Sequence, residues 1–136
     1  MNVFFYGLFM DREILRSQGL NPQNEEQGFV EGYQLQIGER ALLKENSNER
    51  AYGVLFSLKE TEVEQLYAAP SVQDYQPIDV SFTSLATGES KDVQCYNLHI
   101  SKVDGSNPEY VTKLCTVLTS LGFPSNYIKN VLAQAG

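Results

Sequence analysis

Apolar and polar positions repeat with a period of two along some stretches of this chain and near 3.6 along others, and these two periods divide it into elements. Val3-Phe4-Phe5-Tyr6 is a short apolar and aromatic strand that stops at Gly7, after which Asp11 can cap a short helix over 12–18 that ends at Gly19. This predicts a strand, turn, helix unit. The polar stretch 20–28 reads as a loop. Over 29–37, Tyr33, Leu35 and Ile37 share one face and Gln34 and Gln36 the other, the pattern of a half-buried strand. Residues 40–45 and 50–58 flank Asn46-Ser47-Asn48 and predict a hairpin, with Gly53 marking a bulge or a close backbone approach.

The second half continues in the same way. Val63, Leu66 and Tyr67 recur at helical spacing over 60–69, acids fill the first turn, and Pro70 ends the helix, leaving 70–77 as a loop. Ile78, Val80 and Phe82 alternate with Asp79, Ser81 and Thr83, and a second strand over 91–100 follows the Thr87-Gly88 turn. Asn107 and Pro108 then open a helix with an apolar stripe of Tyr110, Val111, Leu114, Cys115, Leu118 and Leu121, closed by Gly122. Pro124 opens a last helix carrying Tyr127, Ile128, Val131 and Leu132. Strands with interspersed helices, no regular βαβ alternation and no internal repeat predict an α+β fold: a mixed, mainly antiparallel sheet or small barrel with helices outside it. The 136 residues suit one domain, with a C-terminal helical pair over 108–135.

Charge narrows the partners. Ten Lys and Arg against seventeen Asp and Glu give a net charge of -7, and the basic residues are scattered, so nucleic acid and anionic membrane are not expected. Apolar runs are too short to cross a bilayer, and Met1-Asn2-Val3 leads directly into a strand, so the expected compartment is the cytoplasm. Cys95 and Cys115, the two cysteines, both lie in apolar patterns and read as buried free thiols.

Familiar catalytic motifs are missing: there is no G-x-S-x-G, P-loop, G-x-G-x-x-G or HExxH, and one histidine cannot build a multi-histidine metal site. On a strand, His99 and Cys95 would share a face about 13 Å apart at ~3.3 Å per residue, too far for a thiolate and imidazole pair. His99 therefore reads as structural. Glu60, Glu62 and Glu64 read as a solvated helix face that favours the N-terminal dipole. Asp74, in a loop beside Tyr75, is the carboxylate best placed for chemistry, against the alternative of a turn-forming aspartate.

Phe5-Tyr6-Gly7-Leu8-Phe9-Met10-Asp11 resembles the Tyr-Gly-Ser-Leu turn that opens the γ-glutamylcyclotransferase-like (AIG2-like) superfamily. Gly32-Tyr33-Gln34-Leu35, Arg40-Ala41-Leu42-Leu43 and Tyr52-Gly53-Val54-Leu55-Phe56-Ser57-Leu58 follow in the family's order, the last looking like its G-V-L-Y strand. Tyr75 and Val80 fall where the family has a tyrosine and its next strand. The likeness covers residues 3–82. It implies a small mixed β-barrel with flanking helices and no metal or cofactor. It also implies a turn whose backbone N–H groups hold the α-carboxylate of a γ-glutamyl substrate. A glutamate acts there as general acid and base while the substrate amine attacks its own γ-carbonyl to give 5-oxoproline.

Carried over position by position, the resemblance makes Tyr6, Gly7, Leu8, Phe9, Met10 and Tyr75 ligand-binding residues. Leu8 stands where the family has serine and removes a hydroxyl donor. The family's glutamate follows a Leu-Asp-x-x pattern that here reads Leu66-Tyr67-Ala68-Ala69, which places Pro70 at the acid position. Proline cannot move a proton, and Asp74 lies four residues on, with a shorter side chain on a shifted backbone. Three readings follow. The chain binds a small carboxylate-bearing amine or peptide without the family's standard catalysis; or it is an active cyclotransferase using Asp74 or another carboxylate brought in by the fold; or it is an interaction module, compatible with a homodimer, in which Phe9, Tyr67 and Tyr127 pack on a partner.

Overall fold

The computed structural model describes residues 1–135. Five strands close into a barrel: β1 (Asn2–Phe5), β2 (Gln23–Ile37), β3 (Ala41–Ser57), β4 (Gln76–Ser84) and β5 (Ser90–Asn97), in the spatial order β1-β3-β2-β4-β5. Neighbours run antiparallel except where the barrel closes, β1 lying parallel to β5 with Val3 opposite Gln94 and Phe4 opposite Cys95. Because β1 is central to that closure, its apolar run is buried on both faces, Val3, Phe4 and Phe5 all lying within the core. Four helices flank the barrel: α1 (Arg12–Ser17), α2 (Glu60–Leu66), α3 (Pro108–Ser120) and α4 (Ser125–Leu132).

Two glycines set how tightly the barrel is filled. Gly28 and Gly53 face each other across β2 and β3. A Cβ on Gly28 would meet the Thr83 carbonyl oxygen and the Phe82 ring, and one on Gly53 would meet the Phe5 carbonyl oxygen and the Phe4 ring. The absent side chains make room for Phe4 and Phe82, whose ring centroids are 5.7 Å apart. Each such ring contributes about 1.5–3 kcal/mol by leaving water. Gly53 is thus the close backbone approach its place in the strand predicts.

The helix ends are built as their sequences predict. The Asp11 side chain accepts from the Glu13 N–H and caps α1, and Asn107 accepts from the Tyr110 N–H ahead of Pro108 in α3. Glu62, in the first turn of α2, accepts from the N–H groups of Lys59 at 2.9 Å and Asn21 at 2.7 Å, a structural role. Cys95 and Cys115 are buried free thiols. His99 lies beyond β5, where its Nδ1 accepts from the Ser101 N–H.

Several boundaries differ from the sequence reading. Residues 23–28 belong to β2, not to a loop, because their polar side chains face outward while the backbone pairs with Val54 to Ser57 across a bulge. Asn46-Ser47-Asn48 is not a hairpin apex. β3 runs through it, and residues 46–49 bulge opposite Gly32, whose φ of +85° accommodates the mismatch. The hairpin apex is instead at 38–40, between Ile37 and its partner Ala41. The helix predicted over 60–69 ends at Leu66, and the strand predicted to reach residue 100 ends at Asn97. Among the described residues no helix is long and apolar enough to cross a membrane.

Candidate functional site

A cavity of about 300 Å³ opens where β1 gives way to the turn that follows it, and it is walled by Tyr6, Gly7, Leu8 and Phe9 of that turn. The opposite wall comes from the β2–β3 apex, Glu39, Arg40 and Ala41, and from the segment after α2, Tyr67, Ser71, Val72 and Tyr75. Tyr96 of β5 and Tyr110 of α3 complete it. Five separate stretches of chain therefore converge on one hollow, which none of them would form alone.

Local geometry explains the glycine of the turn. Gly7 has φ -115° and ψ -154°, open to any residue, so its backbone does not require glycine. Space does. A Cβ there would lie 2.3 Å from the Tyr110 hydroxyl oxygen, which instead approaches closely enough to accept the Leu8 N–H at 3.1 Å. The following residues close the turn on themselves, with the Met10 N–H donating to the Gly7 carbonyl and the Asp11 N–H to the Leu8 carbonyl, both at 3.0 Å.

Aromatic rings make most of the surface. Phe9 stands edge-on to Phe5 and to Tyr67, and Tyr67 stacks on Tyr96 with centroids 4.2 Å apart and planes 13° from parallel. Phe9 and Tyr67, expected in one reading to meet a partner chain, pack on each other. Tyr127, the third ring of that reading, packs on Tyr52 with centroids 4.9 Å apart. The Tyr6 hydroxyl donates to the Tyr96 carbonyl at 3.0 Å, and burial raises its pKa well above the ordinary tyrosine value. The Tyr75 hydroxyl donates to the Ala41 carbonyl at 2.5 Å and its pKa is likewise raised by burial. By contrast, the Tyr67 hydroxyl makes no hydrogen bond among the described residues, and the Tyr110 hydroxyl accepts one while its own proton has no acceptor. Both are neutral donors free to meet an occupant.

Asp74 is not on the cavity wall. Its carboxylate grips Arg40 from both oxygens, at 2.6 and 3.0 Å, and Arg40 also donates to the Ser71 carbonyl at 3.2 Å. The hydrogen bonds from Arg40 hold the Asp74 pKa below its ordinary value, while burial pushes weakly the other way. Met10 also stays off the wall and is packed into the core. Tyr6, Gly7, Leu8, Phe9 and Tyr75 do line the cavity. Glu39, Arg40, Tyr96 and Tyr110 were not singled out from the sequence as site residues, and Tyr67 was singled out only as a ring facing a partner. Arg40 and Tyr67 stand inside stretches that carried the resemblance, but nothing in their spacing marks them as facing the turn. Tyr110 reads simply as one residue of an apolar helix stripe.

Among the described residues no group of three or more His, Cys, Asp or Glu side chains could hold a metal ion. The donor set suits an organic ligand instead: phenol and guanidinium donors at the edge of an apolar aromatic hollow.

No protein-family model and no curated protein matches the sequence. Solved structures do match. A γ-glutamyl cyclotransferase superposes with a TM-score of 0.78 at 15% identity, covering 98% of this chain and 87% of that one. An uncharacterized protein from Homo sapiens gives 0.76 at 16% identity, covering 98% and 86%. YkqA from Bacillus subtilis gives 0.78 at 18% identity over 99% of this chain, which spans 54% of that one. The chain has the γ-glutamyl cyclotransferase-like fold, and the superposition extends through the two C-terminal helices that the sequence resemblance does not reach.

Proposed function

We propose that the chain binds a small molecule of γ-glutamyl type, bearing an amine and a carboxylate, in the cavity at the Tyr6-Gly7 turn, without the standard catalysis of a cyclotransferase. The observation that supports this reading is the cavity itself: about 300 Å³, walled by the turn, with unpartnered phenol donors on Tyr67 and Tyr110 and a guanidinium on Arg40. Those donors suit a carboxylate, and the aromatic walls suit the carbon chain behind it. Catalysis of the cyclotransferase kind needs a carboxyl group that takes a proton from the attacking amine and gives one to the leaving amine, which calls for a raised pKa. Pro70 cannot do this. Asp74 is held ionised by Arg40, its pKa displaced in the wrong direction, and its oxygens are already occupied. In this reading Asp74 is a positioning residue, tying the segment after α2 to the β2–β3 apex. Cytoplasmic residence belongs to the same reading and is supported by the free buried thiols.

One observation favours the second reading, an active cyclotransferase. Glu39 is a carboxylate on the cavity wall. Release of 5-oxoproline from γ-glutamyl amino acids and γ-glutamyl amines separates the two. We expect none from the wild-type chain, together with a thermal shift on adding a γ-glutamyl compound. Turnover that disappears in Glu39→Gln or in Asp74→Ala would replace the binding reading with the enzymatic one and identify which carboxylate moves the proton.

A further inference from the structure

The charges on the cavity wall are unequal in how they are matched. Two charged side chains line it, Glu39 and Arg40. Arg40 is answered by both oxygens of Asp74 and by the Ser71 carbonyl. Lys102 lies near enough to Asp74 to lower its pKa further but is not on the wall. Glu39 acts on Arg40 only through space, raising its pKa weakly, and no salt bridge or hydrogen bond among the described residues engages the Glu39 carboxylate. Its backbone is fixed all the same: the Glu39 N–H donates to the Asp104 carbonyl, and the Glu39 carbonyl accepts from Asn107 Nδ2 at 3.2 Å. Gly38 beside it lies so close to the Asp104 backbone that no side chain would fit. A free carboxylate is thus mounted on an anchored apex at the mouth of the cavity.

The walls reinforce its sign. Ring faces carry the negative end of the aromatic quadrupole and attract cations. Phe9, Tyr67 and Tyr96 line the same cavity as Glu39, while the Tyr75 face already carries the Arg40 guanidinium, 5.8 Å from its centroid. We propose that Glu39 and the Phe9, Tyr67 and Tyr96 rings recognise the cationic amine of the occupant, so that the cavity selects molecules carrying a free amine over acids identical in every other respect. This rests on the cavity being the ligand site.

The test compares γ-L-glutamylglycine with glutarylglycine, which lacks only the α-amine, by calorimetry and ligand-observed NMR on the wild-type chain, Glu39→Gln and Gly7→Ala. Because Glu39 is solvent-exposed, the expected preference of the wild type for γ-L-glutamylglycine is modest, about three- to tenfold. Glu39→Gln should erase that preference by weakening γ-L-glutamylglycine, leaving glutarylglycine unchanged or slightly tighter. Equal binding of the two by the wild type, or a preference that survives Glu39→Gln, overturns the assignment of Glu39. If both bind equally and Gly7→Ala abolishes both, the cavity reading stands and only Glu39 is wrong. If neither binds the wild type, both inferences fall.

Discussion

The aromatic cavity at the Tyr6-Gly7 turn and a polar groove beneath α4 are close in size, about 300 and 360 Å³, and each receives a tyrosine from a C-terminal helix. In the first, the Tyr110 hydroxyl is seated on a backbone N–H against a glycine that leaves it room. In the second, lined by Gln34, Glu49, Arg50, Asn130 and Gln134, the Tyr127 hydroxyl is buried with no hydrogen-bond partner among the described residues. The same side chain is therefore built into one hollow and merely tolerated by the other. The first is assembled from five stretches of chain with its polar atoms arranged; the second is a gap between a hairpin and a helix, whose Gln134 is already spent on the Ile37 N–H and Leu35 carbonyl. Size alone would not distinguish them.

The largest test of that contrast is Gly7→Ala. The new methyl would sit 2.3 Å from the Tyr110 oxygen, so the ring must withdraw, which strains α3 and strips the Leu8 N–H of its acceptor. We expect a loss of about 2–3 kcal/mol in urea denaturation, together with at least tenfold weaker binding of a γ-glutamyl ligand. A stability unchanged within error would show that the turn does not depend on Tyr110.

Tyr110→Phe removes only the oxygen. The ring remains in place and the Leu8 N–H is left without a partner, so the expected cost is about 1–2 kcal/mol by denaturation. Ligand affinity should fall as well, since the free phenol proton is lost. A stability loss with unchanged affinity would confine Tyr110 to a structural role.

Asp74→Asn probes the clip that holds the segment after α2 to the same hollow. The pair is about a third exposed on both sides, so its removal should cost no more than about 0.5–1 kcal/mol at neutral pH. The sign of its pH dependence is fixed. Asp74 has a lower pKa folded than unfolded, so its contribution is complete above the ordinary value of 3.8 and disappears as pH falls through the depressed folded value. Denaturation curves of wild type and Asp74→Asn should differ at pH 6 and converge at the acid end; a constant difference would mean the carboxylate charge is not what stabilises the clip.

How much of this could be read from the chain follows the range of each interaction. Caps such as Asp11 and Asn107, the alternation of Ile78, Val80 and Phe82, and the helical stripe of α3 are local and were legible. The Asn46-Ser47-Asn48 signal misled because turn-forming residues serve a wide bulge as well as a hairpin apex, and only the partner strand decides which. The Tyr6 to Phe9 wall was legible through resemblance, but Arg40, Glu39 and Tyr110 were not. Arg40 and Tyr110 meet Asp74 and Leu8 across 34 and 102 residues of sequence, a coincidence that no periodicity encodes. That Arg40 holds both oxygens of Asp74 was not legible either.

Tyr127→Phe is the smallest expected effect and the sharpest form of the contrast. The ring is held by Tyr52, centroids 4.9 Å apart, and by the buried core it packs against, neither of which depends on the hydroxyl. The Tyr52 backbone approaches that hydroxyl without forming a hydrogen bond, and burial raises its pKa. Deleting the oxygen therefore relieves a buried polar atom and leaves the packing intact, so stability should stay within about 0.5 kcal/mol of wild type or rise slightly. The same deletion at Tyr110 should lower it. If Tyr127→Phe instead costs more than about 1 kcal/mol, its hydroxyl has a partner in solution, such as an ordered water in the polar groove, and the two hollows are alike in how they hold a tyrosine.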